Sequence, residues 1–596
     1  MLLSSRSITP ASAVPAQVPD DRPWLAHYPA IVPPHLEYPD IPAWGLLERT
    51  AQRYPDRMAC CYYRQRLTWR EVHDAARRTA SALVRLGVKP GDRVGILLPN
   101  IPEYLSVLNG IWMAGAIPAA MSPLMVPEEV STFMEAADCR VVVALDVLAP
   151  LILNGTYRPE HILFATISDR LPAWQKLGYA FARLKRLGFW PAPDHPSHHI
   201  LNDHVAAGDA NFTPLVPGTL DAPAYILPTG GTTGNPKMVT LSHRNLIANA
   251  WQVFHWAGAY EAREKMLCVL PFFHSYGLTT CGMAGVAMAA TLIMHHRFIP
   301  RIVLKLIEEH QPTIFPAVPA MLLALNELLR TRSVPFKALR YVISGGAPLP
   351  ESIAREFYGY SGAELVEGYG MSEASPVIST GPLDGTNRPG TIGLPLPDTE
   401  VKIVDAETGT RELPPGEIGE LIVRGPQVMS GYWNAPAETR KVLRDGWLFT
   451  GDLGTRDEDG FFRIVDRKKD LIIVSGFNVY PADVEPVLRR FPGIEDVVVI
   501  GVPDAHSGEL VKAIVSIRPG TKFHRHAFDA YTAEHLARHK RPKQVEVIEG
   551  DLPRNFLGKV LRRKLRTETT QEQQITDTAP PRQPVRTCES NDGMRP

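Results

Sequence analysis

Cysteine is scarce in this chain and forms no pattern. The six thiols are Cys60, Cys61, Cys139, Cys268, Cys281 and Cys588, with no Cys-x-x-Cys pair and no nearby histidine to complete a zinc pattern. That argues against a disulfide framework or a structural zinc site and fits a reducing cytosol, the compartment expected here. Net charge is also missing, because 63 basic residues balance 63 acidic ones. A neutral chain offers no basic footprint, so no nucleic-acid partner is expected. Residues 1–42, rich in Pro, Ala and Ser, lack the apolar core of a signal peptide. No internal repeat occurs at a solenoid period. Asp, Glu, Lys and Arg are absent from one long stretch, 266–296. Its length suggests a membrane span, but Pro271, His274, Gly277 and Gly282 interrupt it. A buried helix is expected there instead.

What is present describes an ordinary globular protein of several domains. Hydrophobic residues make up 45% and charged residues 21%, as in globular chains generally. A length of 596 residues exceeds what one core supports. The first half alternates helical and strand patterns. Val72, Ala75, Ala76, Thr79 and Leu83 recur at helical spacing within 69–86, and Gly87 stops that helix. Strand patterns at 93–98, 116–120 and 141–144 flank a second helix at 102–113. A helix at 301–310 and strands at 313–315 and 340–343 continue the series. This alternation predicts mostly parallel sheets covered by helices. After Gly381 the texture changes to short strands at 401–404, 419–423 and 460–465, a small β-rich subdomain. A second α/β unit follows, with strands at 497–502, 511–517 and 545–547 and a helix around 530–539. The tail, 567–596, is polar and poor in aromatics, and disorder is expected.

The most informative stretch is Thr229-Gly-Gly-Thr-Thr-Gly-Asn-Pro-Lys237, which follows the apolar run 222–227. Gly230, Gly231 and Gly234 with Thr229, Thr232 and Thr233 leave a backbone with little side-chain bulk. Such a loop can turn its N–H groups toward phosphate oxygens, while Lys237 adds positive charge. A Walker A loop is excluded: Pro236 precedes Lys237, and Met238 stands where a metal-binding hydroxyl is needed. Alone, the loop is equally a flexible turn.

Further segments complete a pattern. They are Pro-Phe-Phe-His-Ser-Tyr-Gly (271–277), Ser-Gly-Gly-Ala-Pro-Leu (344–349) and Glu-Gly-Tyr-Gly-Met-Ser-Glu-Ala (367–374). Asp-Gly-Trp-Leu-Phe-Thr-Gly-Asp (445–452), Val-Asp-Arg-Lys-Lys-Asp-Leu-Ile-Ile-Val-Ser-Gly-Phe-Asn (465–478) and Leu-Pro-Arg-Asn-Phe-Leu-Gly-Lys (552–559) follow. In this order, over roughly 45–566, the chain resembles the adenylate-forming superfamily of acyl-CoA synthetases, luciferases and peptide-synthetase adenylation domains. The resemblance implies an extension at 1–42, a large adenylation domain at 43–468 and a small mobile domain at 469–566, with a hinge at Lys469. It implies ATP, Mg²⁺ and CoA as reactants or cofactors. A carboxylate joins AMP with loss of pyrophosphate, and the acyl group then passes to the CoA thiol.

The resemblance assigns roles residue by residue. Glu373 holds Mg²⁺; its alternative is a helix N-terminal acid complementing the dipole. Ser372 stands where the family commonly has Thr and keeps the hydroxyl donor. Tyr369 and Gly370 approach the adenine, with Gly345, Gly346 and Ala347 as its wall. Asp452 accepts from the ribose hydroxyls, and Arg467 contacts the same region. Lys559 neutralises carboxylate and phosphate oxygens, unlike Arg562, Arg563, Lys564 and Arg566, which read as solvated charges. His274 lines the acyl pocket or is a core histidine. Gly476 and Phe477 meet the pantetheine arm.

The segment 445–469 is similar to the signature of long-chain fatty acyl-CoA synthetases, so a medium- to long-chain fatty acid is expected. Met283, Val286, Met288, Leu292 and Ile293 are wall or ordinary core. Pro228 departs from the Tyr or Ser often seen before the loop, which bears on acyl selectivity and not on the chemistry; an aryl or other acid:CoA ligase of the same superfamily is the alternative. A non-catalytic nucleotide binder would lack Glu373 or Lys559, and both are present. Finally, residues 171–190 read as an amphipathic helix with Trp174, Leu177, Phe181 and Leu184 on one side and Lys176, Arg183 and Arg186 largely elsewhere. Such a helix either packs on the large domain or lies peripherally on a membrane.

Overall fold

The computed structural model describes residues 22–171, 173–187, 195–229, 237–504, 506–554, 560–562 and 565–566. They fall into two compact units, the first within Met1–Thr450 and Gly454–Ile464, the second within Gly451–Leu453 and Val465–Pro596.

Two large sheets build the first unit, and most of their strands are parallel as expected. In the eight-stranded sheet, Pro223–Pro228, Ile117–Ala120, Arg93–Leu97, Cys139–Leu145, His161–Ala165 and His198–Ile200 run parallel. Met238–Ser242 and Gly431–Tyr432 add antiparallel strands at one edge. In the nine-stranded sheet, Glu364–Gly370, Tyr341–Ser344, Ile314–Ala317, Lys265–Cys268, Thr291–Met294 and Met58–Tyr62 form the parallel centre. A third, antiparallel sheet pairs Glu400–Val404 with Gly419–Arg424, the β-rich texture read after Gly381.

Local chemistry explains the elements that carry the site. The helix Trp69–Arg85 opens on a capping box, with Thr68 accepting from the Glu71 amide and Glu71 from the Thr68 amide. It buries Val72, Ala76, Thr79, Ala80 and Leu83. The helix Pro102–Met113 is buried on every side, which marks a helix inside the unit rather than on its surface. The two pack backbone to side chain: a Cβ on Gly110 would lie 2.6 Å from the Thr79 Cβ and 2.9 Å from the Ala76 carbonyl. Residues 22–42 also pack onto this unit. Trp24 is buried against Phe462, and Asp398 accepts from the Leu36 amide at 2.9 Å and Tyr38 at 2.8 Å.

Two expectations need correction. The charge-free stretch 266–296 is buried but is not one helix. It holds most of strand Lys265–Cys268, a buried helical run from Ser275 to Ala287 whose middle, Leu278–Met283, is π-helical, and strand Thr291–Met294, so the expected helix fills only part of it. Pro271 cannot donate within a helix, and Gly277 sits so close to the Pro271 carbonyl that a Cβ would meet it at 2.3 Å. The chain therefore turns back sharply and returns as a neighbouring strand. The helix expected at 530–539 is Arg525–His535, and Leu536 is extended. Phe528, Thr532 and Leu536 mark its inner edge at a spacing of four.

The second unit is a five-stranded sheet in the order Phe477–Val479, Ile472–Val474, Gly508–Ile517, Ile494–Asp504, with Gln544–Ile548 parallel to Gly508–Ile517. Pro481–Leu488 and Arg525–His535 contribute Val484, Leu488 and Phe528 to its core. No helix among the described residues is long and apolar enough to cross a membrane.

Gly110→Ala is expected to destabilise the protein by about 1–3 kcal/mol, the usual cost of overpacking, because both neighbours at Gly110 are held within a helix. Urea denaturation measures it; an unchanged midpoint would mean that the helices separate without strain.

Candidate active site

In parallel sheets, loops at the carboxyl ends of strands carry sites, and here one side chain joins two such ends. Asn100 follows strand Arg93–Leu97 of one sheet. Its amide donates to Leu270 O at 2.6 Å and Cys268 O at 3.2 Å, and its carbonyl accepts from Phe272 N at 2.8 Å. These partners lie at the end of strand Lys265–Cys268 of the other sheet and just beyond it. The bonds set the loop that presents His274 to Tyr276. His274 Nδ1 accepts from the Tyr276 amide at 3.2 Å, so its ring proton sits on Nε2. Burial lowers its pKa to about 4, and the ring is neutral near pH 7. Ser275 Oγ lies 3.2 Å from Ser372 Oγ, bringing the 271–277 and 367–374 motifs together.

The stretch 229–237 connects two antiparallel strands, Pro223–Pro228 and Met238–Ser242. Gly230, Gly231, Thr232, Thr233 and Gly234 lie outside the described residues. Thr229 and Lys237 close the neck: Thr229 N donates to Lys237 O at 2.8 Å. A strand on either side differs from the strand and helix that flank a Walker loop. Lys237 then meets residues from far along the chain. Its ammonium pairs with Glu438 at 2.7 Å and lies 5.0 Å from the Tyr432 ring centre. Tyr432 donates to Glu373 Oε1 at 2.9 Å. Lys237 and Glu373, separated by 136 residues in sequence, are thus bridged by one phenol (373 − 237 = 136). The Lys237 and Lys441 ammonium groups hold the Glu438 carboxyl down to about 2. Burial and the Glu373 charge keep the Tyr432 phenol protonated.

Glu373 stands in the short turn Ser372–Ala374, fixed by buried polar side chains. Ser375 Oγ donates to Gln427 O at 2.8 Å. Asn249 donates to Val377 O at 2.8 Å and accepts from Val377 N at 3.0 Å. Gln427 donates to Thr399 Oγ1 at 2.7 Å. These bonds hold the residues just after the turn and so help to keep its carboxylate in place. One carboxylate suits Mg²⁺, which takes most of its ligands from water and phosphate oxygens. Among the described residues no group of three or more His, Cys, Asp or Glu gathers that could hold a metal by itself. The donor set fits a nucleotide-borne Mg²⁺ rather than a protein cage.

Beside this turn, Gly345, Gly346 and Ala347 follow strand Tyr341–Ser344. The Tyr276 ring covers Gly345, where a Cβ would meet it at 3.1 Å, and Tyr276 donates to Ile343 O at 2.9 Å. Gly346 has a φ of +80°, in the region open to glycine. Tyr369 and Gly370 end the neighbouring strand, Glu364–Gly370. Gly370 has a structural reason of its own, since a Cβ would lie 2.0 Å from the Pro376 carbonyl. Glu367 was not singled out in the sequence; burial raises its carboxyl to about 7.

The remaining residues belong to the second unit. Asp452 and Arg467, expected to share a nucleotide region, form an ion pair at 3.4 Å. Lys469 is exposed in the turn Lys468–Asp470, and its carbonyl accepts from Arg566 at 3.3 Å. Ser475 and Gly476, with φ of 50° and +83°, make the two-residue turn between Val474 and Phe477. Two positive φ values are what such a hairpin needs. Phe477 is exposed and stacks on His539 with ring centres 4.9 Å apart. Lys559 lies outside the described residues. Asn100, Tyr432 and Glu438 were missed because nothing near them in sequence marks them. Pairing of Tyr432 with Val239, next to the Gly/Thr stretch, is a purely tertiary signal.

A sequence profile of the AMP-binding enzyme matches residues 47–433, and one of the AMP-binding enzyme C-terminal domain matches 483–559. A long-chain-fatty-acid–CoA ligase of Bacillus subtilis is 37% identical over 561 residues, covering 93% of this chain and 99% of that protein. A feruloyl-CoA synthase of an Amycolatopsis species is 34% identical, covering 87% and 97%. The crystal structure of ATP-bound MatB from Rhodopseudomonas palustris aligns with a TM-score of 0.75 at 29% identity, over 89% of this chain and 99% of that one. Matched by both profiles and by relatives over nearly their full length, the chain belongs to the AMP-binding enzyme family.

Proposed function

We propose that this protein is an AMP-forming acid:CoA ligase whose acid is a medium- to long-chain fatty acid. The observation that carries the ATP half is the bridge from Lys237 through Tyr432 to Glu373, which gathers a cation and a carboxylate at the neck of a Gly/Thr loop. The similarity to a long-chain-fatty-acid–CoA ligase supports the acid and the thiol.

In the first half-reaction an oxygen of the substrate carboxylate attacks the α-phosphorus of ATP. The new C–O–P link forms as the bond to pyrophosphate breaks. The loop Thr229–Gly234 and Lys237 hold the phosphates. Lys237 is paired with a partly exposed Glu438, and solvent screens such a surface pair, so a triphosphate displaces that partner at little cost. Glu373 is the proposed Mg²⁺ ligand; the ion, when bound, neutralises phosphate charge. Gly345, Gly346, Ala347, Tyr369 and Gly370 receive the base, Ser372 donates to the α-phosphate, and Asp452 with Arg467 takes the ribose. His274, neutral with its proton on Nε2, donates into the acyl pocket without adding charge. In the second half-reaction the CoA thiol attacks the acyl carbon and loses its proton as AMP departs. Gly476 and Phe477 border the pantetheine route, and Lys469 is the hinge between the two states. An acid reaching the enzyme from a bilayer suits a peripheral contact through 171–190.

ATP–pyrophosphate exchange over acids of graded chain length tests the reading. Exchange that rises with chain length and needs no CoA is expected. Exchange with feruloyl-type acids alone would transfer the assignment to an aryl acid.

Lys559→Ala is expected to slow adenylation on the order of 10²–10³-fold, the usual cost of one charge aimed at a developing oxyanion. Thioester formation from supplied acyl-AMP should survive; equal loss in both half-reactions would assign Lys559 a structural role.

Lys469→Pro locks φ near −65°. Adenylation is expected to continue while CoA transfer collapses, measured as acyl-AMP accumulation against acyl-CoA release. Normal rates in both would remove the hinge from Lys469.

A further inference from the structure

An amphipathic helix on a globular domain ordinarily buries its apolar stripe. The helix Ala173–Leu187 does the reverse. Trp174, Leu177, Phe181 and Leu184 are 74%, 76%, 70% and 48% exposed. At 100° per residue they fall within an arc of about 80°. The inward face is polar. Tyr179 donates to the Asp146 carboxylate, and Arg183 Nε lies 3.3 Å from Asp146 Oδ2. Asp146 is buried and also accepts from Val147 N at 2.7 Å. Just before the helix, Arg170 pairs with buried Glu103 at the start of the helix Pro102–Met113. Arg183, which the spacing sets largely off the apolar side, is therefore part of the anchor. Two buried carboxylates hold the polar side in and leave the apolar side out.

Charge selects the occupant of that face. Residues 171–190 contain no Asp or Glu, and Lys176 and Lys185 are exposed. Lys185 lies at the edge of the apolar arc, where its ammonium can reach past buried methylenes. A helix of 15 residues is about 22 Å long, shorter than the ~30 Å hydrocarbon core; it can lie on a bilayer but not span it. A second copy of the chain fits poorly. Four side chains at these exposures offer on the order of 500 Å², short of the roughly 800 Å² per partner of a stable dimer, and self-pairing would oppose like charges. Topology gives the face a purpose. Asp146 follows strand Cys139–Leu145 and Thr229 follows strand Pro223–Pro228, two strands running the same way in one sheet. The anchor and the phosphate loop leave from the same edge.

We propose that the outward face of the helix Ala173–Leu187 is a docking surface for an anionic lipid bilayer. Trp174, Leu177, Phe181 and Leu184 enter the interface, and Lys176 and Lys185 meet the headgroups. The proposal rests on the fatty-acid reading for its purpose, since such an acid partitions into lipid, but its physics is independent.

The test is flotation of the full-length protein with vesicles of phosphatidylcholine alone or mixed with phosphatidylglycerol. The parent should float with the mixed vesicles and much less with phosphatidylcholine. Trp174→Ser/Leu177→Ser/Phe181→Ser should lose tenfold or more of the bound fraction, as should Phe181→Ser in part. Lys176→Gln/Lys185→Gln should lose the preference for anionic lipid. Pyrophosphate exchange with a short soluble acid should be unchanged in each variant, which also reports folding. A parent that does not float, a triple variant that floats equally, or a parent dimer that the triple variant makes monomeric overturns the proposal. Flotation without any exchange would overturn the ligase reading and leave the surface standing.

Discussion

One buried amide ties the two large sheets of the first unit together. Asn100 ends a strand of the eight-stranded sheet and bonds three backbone groups beyond a strand of the nine-stranded sheet. Two sheets packed through helices could otherwise slide, because apolar contacts are non-directional. Donor and acceptor from one rigid side chain fix both distance and orientation. From that tie follow the turn at Pro271, the cap made by His274, and the contact of Ser275 with Ser372.

Around it the site is assembled by polar groups that are themselves buried and satisfied. Asn249, Gln427 and Ser375 bond the turn that carries Glu373. Tyr432 reaches the same carboxylate from a strand paired beside the Gly/Thr stretch. Leaving any of these groups unpaired in the interior would cost about 1–3 kcal/mol. The network therefore places the carboxylate more narrowly than packing alone could.

The helix Ala173–Leu187 shows the same rule with the signs exchanged. Desolvation opposes the charge on Asp146, and the hydrogen bond from Tyr179 and the ion pair with Arg183 offset it. A buried ion pair contributes little net stability beside a hydrophobic alternative. What it contributes is orientation: it decides which side of the helix faces the domain.

Much of this was legible in the sequence. Helical spacing located the helix Trp69–Arg85, alternation located the parallel strands, and the Gly/Thr loop with Glu373 and the segment 445–469 pointed to the family. These features are local, since periodicity and turn chemistry are set by neighbours a few residues apart. The sequence also established that 266–296 is buried, but not its form. An uncharged run states that water is excluded and leaves strand and helix undecided; the clash at Gly277 and pairing with neighbouring strands settled it. Asn100, Tyr432 and the inward turn of Arg183 depended on partners 172, 59 and 37 residues away (272 − 100, 432 − 373, 183 − 146). A hydrogen bond reads distance in space, not along the chain, so those assignments existed only once the tertiary structure had brought the partners within 3 Å or so of one another.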